Sequence, residues 1–268
     1  MPLCNSLKTS SFPADKKIQL VGKSDQLNFL VAAGIKPTYL HNLILKEWVV
    51  IFKFKILFIA LVLALLPCNV AAMPLSRKII VVDAGHGGRD PGMVSNKVEE
   101  KDINLSIAQK LQVFLEQGGA TVIITRLDDK DLSKNKSGDM YVRRSIANSS
   151  SADIFVSIHQ NSFNSPNVKG AQVFYFNESD NSQKLADFVQ TRLVEFADPS
   201  NKFKAKANSN YYVLKQTEMP AVLVECGFLT NYNERQKLTS ETYQEKLAWG
   251  IYLGIVDYFT QAPEDIEK

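Results

Sequence analysis

Three ionisable side chains stand at the ends of three short apolar runs. His86 follows KIIVVD within the turn AGHGG, His159 closes IFVSIH, and Glu225 closes AVLVE. Two imidazoles and a carboxylate are a common set of three zinc ligands, which leaves the fourth position to water. Bound zinc lowers the pKa of that water from about 16 to about 7, and a further carboxylate can then pass its proton to a leaving nitrogen. These residue types indicate metal-assisted hydrolysis.

Each of these residues also has a simpler explanation. A lone histidine is often a hydrogen-bonded structural residue, and Glu225 could be a salt-bridged strand end. The chain has only three histidines, His41, His86 and His159, and two of them follow apolar runs. From residue types and spacing alone, a structural role and a metal site both remain open.

The elements that carry these residues alternate between strand and helix. Apolar runs predict five strands, at Lys78–Asp83, Ala120–Thr125, Ile154–His159, Gln172–Phe176 and Ala221–Glu225. Apolar residues at helical spacing predict helices at 102–117, Tyr141–Ser150 and 182–197, and a closing helix from Tyr243. The polar stretch Leu127–Gly138 is expected to be a solvated loop, and Asn231 with Glu234 resembles a helix-capping pair. The alternation predicts an α/β three-layer sandwich, with helices on both faces of a twisted, mostly parallel sheet in a single catalytic domain. Such folds bind ligands beyond the carboxyl ends of their strands, where His86, His159 and Glu225 stand.

Four motifs in order carry a family resemblance. They are VVDAGHGGRDPG, VEEKDINL, FVSIHQN and MPAVLVECGFLTN. Together they resemble the zinc-dependent N-acetylmuramoyl-L-alanine amidase family, the amidase-3 type of cell-wall hydrolase, over nearly all of residues 77–260. The resemblance implies that His86, Glu100 and His159 hold one Zn²⁺ ion per domain and that Glu225 is the catalytic carboxylate. Spacing does not separate Glu100 from Glu99, and only the KD pair that follows in the family pattern fixes the choice.

Four residues near these motifs need separate interpretation. Gln160 stands where the family has a small residue, and Cys226 stands where it has leucine; neither change removes an implied ligand. Cys226 is expected to be a buried structural thiol. Asp83 could orient a ligand or stabilise the loop, and Arg143 could pin its helix against the sheet, outside the site.

The resemblance implies hydrolysis of the amide between the lactyl group of N-acetylmuramic acid and the L-alanine of the stem peptide in peptidoglycan. Only ten residues separate His159 from Gly170, where the cell-separation members carry a longer insertion. The chain is therefore similar to the short sporulation and germination amidases, which act on spore cortex. The alternatives are a zinc peptidase that trims the stem peptide and a non-catalytic wall-binding protein on an amidase scaffold.

The N-terminal part of the chain resembles an export signal. Residues 56–66 read ILFIALVLALL, the length of a signal-peptide core rather than of a membrane span. We expect residues 1–48 to be a non-native or unstructured extension and 49–72 a signal peptide or membrane anchor. The zinc amidase catalytic domain is expected at 73–262 and a short tail at 263–268. An exported protein acting in the cell wall or spore cortex follows from this interpretation.

Charge gives little support to nucleic-acid binding. The net charge is +3, and residues 1–72 hold eight lysines against three acidic residues, so the remainder is slightly acidic. A nucleic-acid-binding domain needs a basic stripe and a high pI. We expect peptidoglycan as the partner, no nucleic acid, and membrane contact only through an uncleaved N-terminal segment.

Overall fold

The computed structural model describes residue 36 and residues 45–46, 48–58 and 73–261. The chain divides into two units, Met1–Val70 and Ala71–Lys268. In the first unit, residues 48–58 are helical, and no described helix has the length and apolar character that a membrane crossing requires. Most of the expected signal peptide, its end at residue 72 and the tail at 263–268 lie outside the described residues.

The second unit alternates strands and helices as the sequence predicts. Its strands are β1 (Ile79–Ala84), β2 (Val94–Ser95), β3 (Val98–Glu99), β4 (Thr121–Ile124), β5 (Ile154–Asn161), β6 (Gln172–Tyr175), β7 (Lys206–Ala207) and β8 (Ala221–Phe228). Its helices are α1 (Glu100–Gln117), α2 (Lys136–Ser149), α3 (Asp180–Phe196), α4 (Tyr212–Gln216), α5 (Tyr232–Leu238) and α6 (Glu241–Gln261).

Six of the strands form one sheet in the order β4-β1-β5-β8-β6-β7. The pairs β1–β4, β1–β5, β5–β8 and β6–β7 are parallel, and β6 pairs antiparallel with β8, so β6 and β7 run opposite to the other four strands. The carboxyl ends of β1, β5 and β8 therefore meet at one edge of the sheet. The short strands β2 and β3 form a separate hairpin that leads directly into α1.

Two hydrophobic cores cover the two faces of the sheet. On one face, Ile80, Val82 and Val156 pack with residues of α1, α3 and α6 such as Ile107 and Leu185. The second, smaller core joins the alternate strand residues to α2 and α4; it includes Val81, Phe155, Leu223, Ala147 and Leu214. Because successive strand residues point to opposite faces, both faces are apolar and the strands appear as continuous apolar runs. The predicted three-layer α/β sandwich is confirmed.

The main difference from the sequence prediction is at the start of α2. Residues 127–138 were expected to form a loop, but the helix already begins at Lys136. Asn135 caps it, with its side-chain oxygen accepting a hydrogen bond from the Gly138 N–H at 2.8 Å. Asn is among the best N-cap residues, and a polar segment can therefore enter a helix without any apolar periodicity. The predicted cap of α5 is present, since Asn231 Oδ1 accepts from the Glu234 N–H at 3.1 Å.

Candidate metal centre and active site

His159 and Glu225 lie side by side because of the register between β5 and β8. The two residues are direct partners in this parallel pair, and the register shifts immediately afterwards, between His159 and Asn161. Paired residues of adjacent strands project from the same face of a sheet. The sequence-predicted ligand and the sequence-predicted catalytic carboxylate are therefore held on one face by main-chain hydrogen bonds.

His86 reaches the same edge through a strained turn after β1. Its backbone is left-handed, with φ of 60°, a conformation that is uncommon for residues other than glycine. Arg143 Nη2 donates to the His86 carbonyl oxygen at 2.7 Å and holds the turn in place. His86 Nδ1 donates to Asp90 Oδ2 at 2.8 Å. This carboxylate fixes the tautomer of the ring, so that Nε2 presents its lone pair.

Glu100 is the first residue of α1, where the partial positive charge of the helix N-terminus favours a carboxylate. It is buried, and its Oε2 accepts from the Met93 N–H at 2.9 Å. Gly92 makes this approach available, because a Cβ at that position would lie 2.6 Å from Glu100 Oε2 and 2.7 Å from His86 Cδ2. The hairpin before α1 thus fits closely around the carboxylate.

The three side chains converge on one point. Glu100 Oε1 lies 3.3 Å from His86 Nε2 and 3.0 Å from His159 Nδ1, and the two imidazole rings are 5.0 Å apart. One ligand atom from each residue lies within 4.8 Å of the other two. A lone pair on His86 Nε2 that faces a carboxylate oxygen is repulsive unless a proton or cation lies between them. The donor set and its geometry therefore fit a metal ion such as zinc.

The electrostatics of the group also favour a cation. Burial alone would raise the pKa of Glu100, but the hydrogen bonds and charges of His159 and His86 bring it well below its ordinary value. Burial would likewise lower the pKa of His86, yet Glu100 and Asp90 raise it above its ordinary value. The surroundings therefore stabilise a negative carboxylate together with positive charge beside it.

Glu225 is a buried carboxylate with one free oxygen. Its Oε1 accepts from the Tyr211 hydroxyl at 3.3 Å, whereas Oε2 has no hydrogen-bond partner among the described residues. Burial raises the pKa of Glu225 to about 7; Glu100 adds to the rise, and His159 and Tyr211 oppose it. A carboxyl group with a pKa near neutrality is suited to accept and return a proton.

Comparison with known proteins identifies the family. The family model described as Amidase_3, N-acetylmuramoyl-L-alanine amidase, matches residues 80–257. The chain belongs to this amidase family. The predicted family, enzyme class and peptidoglycan amidase function are thereby confirmed.

Individual relatives of this amidase support the assignment. It is 38% identical to the germination-specific N-acetylmuramoyl-L-alanine amidase of Bacillus subtilis over 198 residues, which is 71% of this chain and 83% of the relative. It is 33% identical to the amidase LytC of Bacillus subtilis, covering 69% of this chain and 36% of LytC. Its fold matches the CwlD amidase of Clostridioides difficile, solved in complex with the GerS lipoprotein, with a TM-score of 0.66 and 42% identity over 69% of this chain and 99% of that one.

The amidase site opens into a cavity of about 300 Å³. The three converging residues and Glu225 line it together with residues that sequence reasoning missed: Asp90, Lys136, Met140, Tyr211 and Tyr212. Asp90 could have been found from its i+4 spacing to His86 in the motif HGGRD. Tyr211 follows a polar stretch without periodicity, so its sequence context gives no comparable signal.

Asp83 and Arg143 stabilise the amidase loop rather than a ligand. Asp83 accepts hydrogen bonds from Arg143 Nη1 at 2.6 Å, Ser157 Oγ at 2.7 Å and Thr125 Oγ1 at 2.8 Å. None of these partners is a predicted ligand. Arg143 pins α2 against the sheet, as the sequence suggested, and it also supports the turn that carries His86.

Proposed function

We propose that His86, Glu100 and His159 hold a zinc ion and that Glu225 is the proton carrier of an N-acetylmuramoyl-L-alanine amidase. The observation that carries this proposal is the convergence of the three donors beside a buried carboxylate whose Oε2 is unpartnered. When bound, zinc acts as a Lewis acid toward a carbonyl oxygen and makes water acidic enough to ionise near pH 7.

The residues of the chain supply the remaining chemistry. Glu225 Oε2 accepts a proton from the attacking water, because the pKa of this carboxyl group is raised to about 7. The same oxygen then donates the proton to the departing nitrogen of L-alanine, which leaves as a neutral amine. Tyr211 donates to Oε1 and thereby directs the free oxygen, Oε2, toward the reaction.

We further infer that the enzyme acts outside the cytoplasm, on spore cortex or cell wall. The similarity to a germination-specific amidase supports the cortex, and the apolar run at residues 56–66 supports export or anchoring through residues 49–72. The catalytic domain then comprises residues 73–262. The catalytic domain carries little net charge, so electrostatic attraction does not bring it to the wall.

Product analysis on purified peptidoglycan tests the proposed reaction. We expect glycan strands freed of their peptides together with intact stem peptides, and we expect a zinc chelator to abolish their release. Cortex and vegetative wall digested in parallel test the preference for cortex. Shortened stem peptides would instead identify a peptidase, and a zinc-free protein with unchanged activity would contradict the metal assignment.

Replacement of the proposed ligands tests the site directly. We expect His86→Ala and His159→Ala to lose bound zinc, because each removes one of three protein ligands. Metal content per protein chain is the measurement. Full zinc occupancy in both ligand variants would contradict the assignment.

A further inference from the structure

Gln160 lies next to the candidate metal site without being one of its ligands. Its side chain is buried. Its backbone N–H donates to Glu100 Oε1 at 3.0 Å, and its side-chain Nε2 donates to Asn104 Oδ1 at 3.1 Å. Gln160 therefore contacts the Glu100 carboxylate directly through its main chain and indirectly through Asn104.

Asn104 links the Gln160 side chain to the proposed ligand. It is fully buried, and its Nδ2 donates to Glu100 Oε1 at 3.2 Å and to the Gly85 carbonyl oxygen at 3.1 Å. A reversed carboxamide would place Oδ1 against two other acceptor oxygens. Because Gln160 donates to Oδ1, it holds Asn104 in the orientation that points the NH₂ group at Glu100.

Cys226 lies on the same face of the sheet as Gln160. The Cys226 thiol is fully buried and donates to the Val224 carbonyl oxygen at 3.8 Å, whereas Gln160 Oε1 has no hydrogen-bond partner among the described residues. Since His159 pairs with Glu225, the next residues of both strands, Gln160 and Cys226, face the opposite side of the sheet, toward α1. The hydrogen bond to Asn104 therefore comes from Gln160 and not from Cys226.

We propose that Gln160 is a positioning residue that acts through Asn104 to fix the orientation of Glu100 and so strengthens zinc binding. The inference rests on the proposed function, in which Glu100 is a zinc ligand. Groups that orient a metal ligand typically change metal affinity by 10- to 100-fold when they are replaced.

Zinc affinity of the full chain, measured by competition with a chromogenic chelator, tests this inference. We expect Gln160→Met, which keeps the volume but removes the donor, to bind zinc about tenfold more weakly than the parent protein. Gln190→Met is the matched control, since Gln190 is equally buried at 4% exposure but bonds the Val173 N–H and the Ala171 carbonyl oxygen rather than Asn104. We expect this control to melt at a lower temperature and to keep its zinc affinity.

A double-variant cycle tests the path through Asn104. We expect Gln160→Met to weaken zinc binding in the parent protein but to cause little further loss in the Asn104→Leu background. Parent-like affinity in Gln160→Met would overturn the inference and leave the zinc site intact, and fully additive effects would overturn the path through Asn104. A parent protein that binds no zinc would instead refute the proposed function, and this inference with it.

Discussion

At the scale of single residues, the two oxygens of Glu225 have different environments. Tyr211 satisfies Oε1, whereas Oε2 is buried without a partner among the described residues. Buried polar atoms are almost always hydrogen-bonded, so an unpartnered one calls for an explanation. A substrate or water that donates to Oε2 provides that explanation, and it makes Glu225 the residue at which activity and metal binding can be separated.

Glu225→Gln should separate catalytic activity from metal binding. The amide keeps the shape of the side chain but cannot take a proton from water, so we expect a fall in kcat of about 10²- to 10⁴-fold. Zinc content should not change, because Glu225 is not among the three converging donors. Peptide release from purified peptidoglycan and metal analysis are the two measurements. Activity near that of the parent enzyme would make the assignment of Glu225 wrong.

The buried Asp83–Arg143 pair leads to a prediction for the pH dependence of stability. Burial alone would raise the pKa of Asp83, but Arg143, Ser157 and Thr125 lower it below its ordinary value. A depressed pKa means that the carboxylate contributes its full stability above about pH 3.9, the ordinary pKa, and loses it as the pH falls through the lower folded value.

We therefore expect Arg143→Met to lose about 3–5 kcal/mol of unfolding free energy at pH 7, because it leaves a buried carboxylate without its cation. The difference from the parent protein should shrink as the pH falls through the lowered pKa of Asp83, where the parent carboxylate is protonated and the ion pair is lost. Urea denaturation at several pH values measures this. Lys130→Met, which breaks an exposed pair with Asp128, is the control and should cost at most about 1 kcal/mol. A difference that stays constant down to pH 2 would contradict the explanation.

At the scale of elements, α3 and α6 pack unusually closely. A Cβ on Gly254 of α6 would lie 2.5 Å from Val189 Cα of α3, which is a backbone atom and cannot turn aside. A Cβ on Gly250 would come no nearer than 3.2 Å, to the Arg192 carbonyl oxygen. Gly254 therefore sets the distance between the two helices, and Gly250 much less so.

We expect Gly254→Ala to lower the free energy of unfolding by about 1–3 kcal/mol, because the helices must separate. The free-energy cost of separating the helices should exceed the gain of about 1 kcal/mol that alanine brings through its higher helix propensity. Gly250→Ala is the matched control and should be much less harmful. Denaturant unfolding compares the two variants, and equal stabilities would show that the helices adjust freely.

The strands and helices also show how much of the fold the sequence predicted. Apolar runs predicted β1, β4, β5, β6 and β8 because a strand buried on both faces needs no polar alternation. The two-residue strands of the hairpin and the five-residue helix α4 are too short to produce a pattern. The proximity of His86, His159 and Glu225 was predictable from their positions at the ends of apolar runs, although β5 and β8 continue past His159 and Glu225. Glu100 was not predictable in this way, because its role depends on where the hairpin places the N-terminus of α1.

At the scale of the whole catalytic unit, the two hydrophobic cores do not depend on the metal. The converging residues sit at the sheet edge, and the cores extend along both faces. Metal binding should therefore add to the stability of an already folded unit, unlike in zinc fingers, which are unfolded without their metal.

Removal of zinc should lower the melting temperature without unfolding the protein at 25 °C. At zinc concentrations of about 100 times Kd, binding contributes about 2.7 kcal/mol. For a unit of this size that corresponds to about 5–11 °C. Circular dichroism melts with and without chelator measure the shift, and a shift of zero or loss of secondary structure at 25 °C would contradict this prediction.

The direct pairing of His159 with Glu225 also limits how this enzyme can evolve. A deletion of one residue between Ala221 and Val224 would turn Glu225 to the opposite face of the sheet. A one-residue insertion or deletion in either strand would therefore separate the two groups. Segments that follow the strands, such as residues 127–135 and 162–169, can change length without shifting the register that pairs His159 with Glu225. Divergence in glycan or peptide preference is therefore expected to accumulate in those loops.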